Sequence, residues 1–111
     1  MAAFRRKRNE RGGAFVFRVS DVLDVPLRGL LLRLRLVDGT PSMDDLGIGS
    51  VLRLRSPAGV ERDVHVAAHS VTGGKPTQER LHRVRELDVL IADGTASEPI
   101  EIGWTASGPV E

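Results

Sequence analysis

Few residues in this sequence have types and spacing that could do chemistry. His65 and His69 stand four apart, with Asp63 two before His65. In a strand all three share one face, yet at about 3.3 Å per residue the two imidazoles lie some 13 Å apart, too far to share one ion. His65 and Asp63 alone supply two ligands, and His82 falls in a different stretch. Ser70 adjoins His69, but neighbouring strand residues point to opposite faces, and there is no Gly-x-Ser-x-Gly turn. Without cysteine there is no disulfide, zinc–thiolate or thiol nucleophile. Asp44 and Asp45 lack the spaced oxygen ligands of a calcium loop and read as solvated loop charges. No metal, no cofactor and no catalytic activity are expected.

Arginine is the other candidate. Arg33 and Arg35 alternate with Leu32, Leu34 and Leu36, and Arg53 and Arg55 alternate with Leu52 and Leu54. A period of two is the side-chain repeat of a β-strand, so each segment has one leucine face and one arginine face. If the two strands pair, four guanidiniums share an outer face able to hold phosphate or an acidic partner. The competing reading is a solvated wall on which Glu61, Asp63 or Glu86 neutralises the arginines and discourages edge aggregation. The acidic excess of the body favours the second.

That excess is hidden by a net charge of +1. Arg5, Arg6, Lys7, Arg8 and Arg11 crowd the first eleven residues against Glu10 alone, which leaves about −3 for the rest. Residues 1–13 read as a disordered basic arm, released by Gly12-Gly13. RNA or ribosome contact is its functional reading. A solubilising tail is the simpler one, because Phe4 is the arm's sole aromatic and base stacking wants several.

The elements that would position these groups are strands. Residues 14–19 put Phe15, Phe17 and Val19 on one face, and Ser20-Asp21 caps a turn. Residues 22–25 form a short apolar segment that Pro26 stops. The leucine–arginine strand follows Arg28-Gly29 and ends at the turn dipeptide Asp38-Gly39. Residues 40–49 read as a loop, with Met43, Leu46 and Ile48 folding back onto the core. Residues 51–55, a Pro57-Ala58-Gly59 turn and residues 60–71 make a hairpin. Thr77 begins a stretch that is either a short helix or a strand, and residues 86–92 are the better strand. Ile100, Ile102 and Trp104 form the last strand, and residues 106–111 a tail.

This arrangement predicts one all-β domain over residues 14–105, a small closed antiparallel barrel of about six strands. Leu32, Leu34, Leu52, Leu54, Val64, Val66, Val89 and Ile102 should lie inside. No apolar run reaches membrane-spanning length, and no apolar segment follows the basic N-terminus, so a cytoplasmic location is expected.

The order of features resembles the β-barrel second domain of translational GTPases, the elongation factor Tu and initiation factor group. Phe15–Val19 with Asp21-Val22 matches its opening strand. Leu27-Arg28-Gly29 matches its Arg-Gly step, with Leu27 where that family usually has Gly. Gly47-Ile48-Gly49-Ser50-Val51 matches the step into the third strand, and residues 64–71 the long return strand. The resemblance implies a free-standing, non-catalytic module that touches RNA, ribosome or a protein partner through the arm, Arg28 and the arginine stripes. No Gly-x-x-x-x-Gly-Lys-Ser/Thr loop occurs, so no nucleotide is expected. The alternative is a structural or self-assembling subunit with no nucleic-acid role. Oligomeric state is left open.

Overall fold

The computed structural model describes residues 12–70, 76–92 and 99–110. Six strands account for most of them: β1 (Gly12–Val25), β2 (Gly29–Pro41), β3 (Val51–Arg55), β4 (Glu61–Ala68), β5 (Glu86–Ile91) and β6 (Thr105–Gly108). A 3-10 turn, Met43–Leu46, precedes β3, and one helix, α1 (Gln78–Val84), precedes β5. Every strand pair is antiparallel, and the order β1-β2-β5-β4-β3-β6 closes on itself. β3, β4 and β5 neighbour one another in succession and β6 returns beside β3, which is a Greek key. Closure leaves the sheet without a continuous open edge. Among the described residues no helix is long and apolar enough to cross a membrane.

The leucine faces do turn inward. Phe17, Val19, Leu32, Leu34, Leu52, Leu54 and Val89 have no exposed surface, and Val64 and Val66 are buried beside them. Phe15 and Phe17 meet edge to face at 5.5 Å, a favoured aromatic geometry. Trp104 and Ile100 cap the core, and Leu46 plugs it from the 3-10 turn.

Five expectations are corrected. Ser20-Asp21 is not a turn: β1 runs on to Val25, with Ser20 accommodated as a bulge between the pairs Val19↔Leu34 and Asp21↔Arg33. Asp38-Gly39 does not end β2 either, because Gly39 (φ +95°) bends the strand while it stays paired to Phe15. Ile48 and Ile102 are exposed rather than core, since both lie in turns outside the ladders. The closing strand is β6 at residues 105–108, most of it in the stretch read as a tail, and the preceding residues 101–104 form a turn. Asp45 is buried, not solvated, because the 3-10 turn rolls it inward next to Leu46.

The ambiguous stretch resolves as both alternatives in succession. Thr77 Oγ1 accepts the Arg80 amide at 3.1 Å and caps α1. Arg85 then takes a left-handed conformation (φ 63°) that stops the helix and turns the chain into β5.

Candidate functional site

Closure decides what the arginine stripes can do. β2 and β3 stand three places apart in a ring of six, so Arg33 and Arg35 lie on one wall and Arg53 and Arg55 on the opposite one. The expected shared face of four guanidiniums does not form. Each stripe instead faces carboxylates across its own ladder. Asp88 is opposite Arg33, Glu86 opposite Arg35, Asp63 opposite Arg53 and Glu61 opposite Arg55. Arg33 donates from Nε to Asp88 at 3.1 Å, Arg53 from Nε to Asp63 at 3.0 Å, and Arg35 from Nη1 to Glu86 at 3.4 Å. The Arg33 and Arg53 guanidiniums also reach the second carboxylate oxygen through Nη2, at 3.4 and 3.3 Å. Such forked pairs occupy the donors a phosphate would need.

The electrostatics agree with that geometry. Donating hydrogen bonds to Asp88 raises the Arg33 pKa, and donating to Asp63 raises that of Arg53. Hydrogen bonding from Arg53 holds the Asp63 carboxyl below the ordinary aspartate range, with the Arg53 charge and His65 adding to it. A depressed folded-state pKa stabilises the fold above the unfolded value and loses that contribution as pH falls through the folded one. The expected result is an Asp63 carboxyl titration by NMR with its midpoint below the normal aspartate range, moving up in Arg53→Gln. An unchanged midpoint in that variant would refute the coupling. The pair is exposed, so the effect on stability is small.

Of the three histidines one, His69, serves structure. His65 is exposed on β4 and His82 is exposed on α1. His69, placed by alternation on the same face as His65, is half-buried, and its Nε2 lies 2.7 Å from the Leu46 carbonyl oxygen. A carbonyl only accepts, so Nε2 carries the proton and the ring ties the 3-10 turn to the end of β4. Among the described residues no three His, Asp or Glu side chains gather as a metal would require. A shallow cleft of about 270 Å³ beside His69 is lined by Arg33, Arg80, Glu86 and Asp88, a balanced set with no preference for an anion.

The feature that sequence reasoning missed is the β1–β2 tip. Val25-Pro26-Leu27-Arg28 is a turn closed by the Arg28 amide on the Val25 carbonyl oxygen at 3.0 Å. Leu27 follows the proline with φ 69°, the third-position geometry of a type II turn, where glycine is usual. Its side chain is fully exposed. Leu23 is 54% exposed on the same hairpin, and Ile102, in the turn hydrogen-bonded to Val19 through Gly103, is 64% exposed at the same end of the ring. The bulge explains Leu23. Simple alternation from Phe15 would send residue 23 inward, but the extra residue at Ser20 reverses the remainder, so Val22 packs on the core and Leu23 faces out. Pro26 was the one signal in the sequence that could have located the turn.

No family model matches this chain, and no curated protein and no solved structure matches it. Of the residues expected to bind a partner, Arg28 sits at the tip beside Leu27, whereas Arg33, Arg35, Arg53 and Arg55 are set in cross-strand rows with acids. Arg5, Arg6, Lys7, Arg8 and Arg11 lie outside the described residues.

Proposed function

We propose that this chain is a non-catalytic binding module, a free-standing barrel of the kind found as the second domain of translational GTPases, and that it holds a protein rather than RNA. The observation that carries the reading is the hairpin tip. Leu27, a branched side chain in a left-handed conformation, is fully exposed at the end of the ring that also exposes Leu23 and Ile102. Left-handed backbone disfavours such a residue by roughly 1–2 kcal/mol, and water disfavours the exposed side chain as well. Strain of this sort marks contact sites. The arginine pairing on the walls supports the same reading, because it neutralises much of the competing phosphate surface.

The test compares tip and wall. Partner retention from lysate should be lost in the double variant Leu23→Asp, Leu27→Asp and kept in Arg33→Ala, Arg53→Ala. The reverse pattern would refute the assignment. The RNA alternative makes its own prediction through the arm. If all five basic residues engage phosphates of a single strand, log K falls against log salt with a slope of about −3.5. Deleting residues 1–11, which spares β1 from Gly12 onward, then flattens the slope towards zero and leaves the thermal midpoint unchanged. Salt-dependent retention of a labelled single-stranded RNA by the full chain, lost on that deletion, would favour RNA over protein.

A further inference from the structure

We infer that the protein held at the tip is a second copy of this chain, joined through residues 21–25 of β1 in an antiparallel two-fold pairing centred on Leu23. The inference rests on the protein-binding reading above and names its partner.

β1 pairs with β2 along its length, but with β6 only over residues 15–18. Val19 exchanges one further pair of hydrogen bonds with the turn, donating to the Trp104 carbonyl oxygen at 2.8 Å and accepting from the Gly103 amide at 2.9 Å. Beyond that point the second edge of β1 has no strand beside it among the described residues. Among the described residues the ring therefore has a local opening here, and an open strand edge is a template for another strand.

The outer face at this opening carries an apolar row. The ladders place Leu23 opposite Leu31, Leu31 opposite Leu90, and Leu90 opposite Ala68, a single row across β1, β2, β5 and β4. Leu90 is buried although it lies outside the core cluster. The row grows more exposed towards β1 and ends at Leu23 on the open edge. Pairing two copies about Leu23 continues the row, with Leu31–Leu23 of one running into Leu23–Leu31 of the other.

The register suits the charges and the tip. A two-fold about Leu23 sets Asp21 opposite Val25 and Asp24 opposite Val22, so no carboxylate directly faces a carboxylate. Counting outward, Leu27 of one copy reaches the level of Val19 in the other, where Gly103 is hydrogen-bonded and Ile102 stands exposed. One isologous contact thus covers Leu23, Leu27 and Ile102 together.

The experiment is sedimentation of the purified full chain from micromolar concentrations up to about 1 mM, a range that covers weak association. The mass should rise from 12.1 kDa towards twice that value. Leu23→Asp should stay monomeric throughout with its thermal midpoint unchanged, because the side chain is exposed. Leu27→Gly is the sharper probe. It should raise the thermal midpoint by relieving the left-handed strain, yet weaken association about tenfold or more by deleting the anchor. A residue of purely structural importance cannot shift the two in opposite senses. A wild-type chain that remains monomeric at 1 mM, or a Leu23→Asp variant that dimerises like wild type, overturns the inference. If the purified chain is monomeric while the tip variant still loses partners from lysate, the second copy is excluded and the protein-binding reading stands.

Discussion

Leu34→Asp is expected to abolish cooperative unfolding in urea at 25 °C, leaving a chain already unfolded in water. Leu34 has no exposed surface and lies in the middle of β2, opposite Val19 on one side and Leu87 on the other. Truncating a buried leucine costs about 2–5 kcal/mol through lost transfer energy and the cavity left behind. A carboxylate in that cavity, with no partner, adds several kcal/mol more. The sum rivals the whole stability of an ordinary domain, about 5–15 kcal/mol. Arg35→Asp, one residue along, should change stability by no more than about 0.5 kcal/mol. Its exposed contact with Glu86 becomes a repulsion, but Arg18 stands opposite it on β1, and that like-charge pair becomes an attraction. Comparable urea midpoints for the two variants would mean the inner and outer faces have been interchanged.

Gly39→Ala is expected to cost more than about 3 kcal/mol, and Gly29→Ala a similar amount, whereas Gly59→Ala should cost about 1–2 kcal/mol. All three glycines have positive φ: +95°, +126° and +94° respectively. The backbone penalty for a side chain is therefore shared. What differs is the space. A Cβ at Gly59 meets nothing within 4 Å. A Cβ at Gly39 would land on the Ala14 carbonyl oxygen and 2.6 Å from Phe15 Cα, so the β1–β2 ladder must open where Phe15 enters the core. At Gly29 it would meet the Ile91 carbonyl oxygen at the seam between β2 and β5. Neither neighbour can move without breaking ladder hydrogen bonds. Equal losses for Gly39→Ala and Gly59→Ala in chemical denaturation would show that φ alone, and not close approach, governs these positions.

Gly39 also shows why some boundaries were not legible. Asp-Gly is a strong turn dipeptide when two strands end beside it. Here β1 continues alongside, so the positive φ of Gly39 is used to bend a paired strand, and Val37 is left over between the pairs Leu36↔Phe17 and Asp38↔Val16. The local conformation was readable, but whether the chain reverses depends on what lies next to it. Thr77 is the opposite case: its place at the start of a helix was legible because the Oγ1–amide bond closes within one turn of the chain. The basic residues of the arm lie outside the described residues, but Gly12 and Gly13, read as its flexible end, are the first residues of β1, with Gly12 paired to Pro41.

The sequence by itself determined that the two leucine–arginine segments are strands, with their faces turned inward at Leu32, Leu34, Leu52 and Leu54. It also determined that Arg33, Arg35, Arg53 and Arg55 stay outside. A period-two pattern is a one-dimensional property, and burial of a leucine face follows from it whatever the neighbouring strand is. Which strands become neighbours is not in the period. Only the tertiary structure placed β2 and β3 on opposite walls, separating the two arginine stripes and giving each its own acids from β5 and β4. Only the tertiary structure put an extra residue at Ser20, because the bulge exists to keep β1 in register with β2 while the ring curves closed. That one insertion reverses the alternation and turns Leu23 outward, beside Leu27 and Ile102, which their own turns expose. The candidate site is a product of closure, and closure is a relation between segments far apart in the chain.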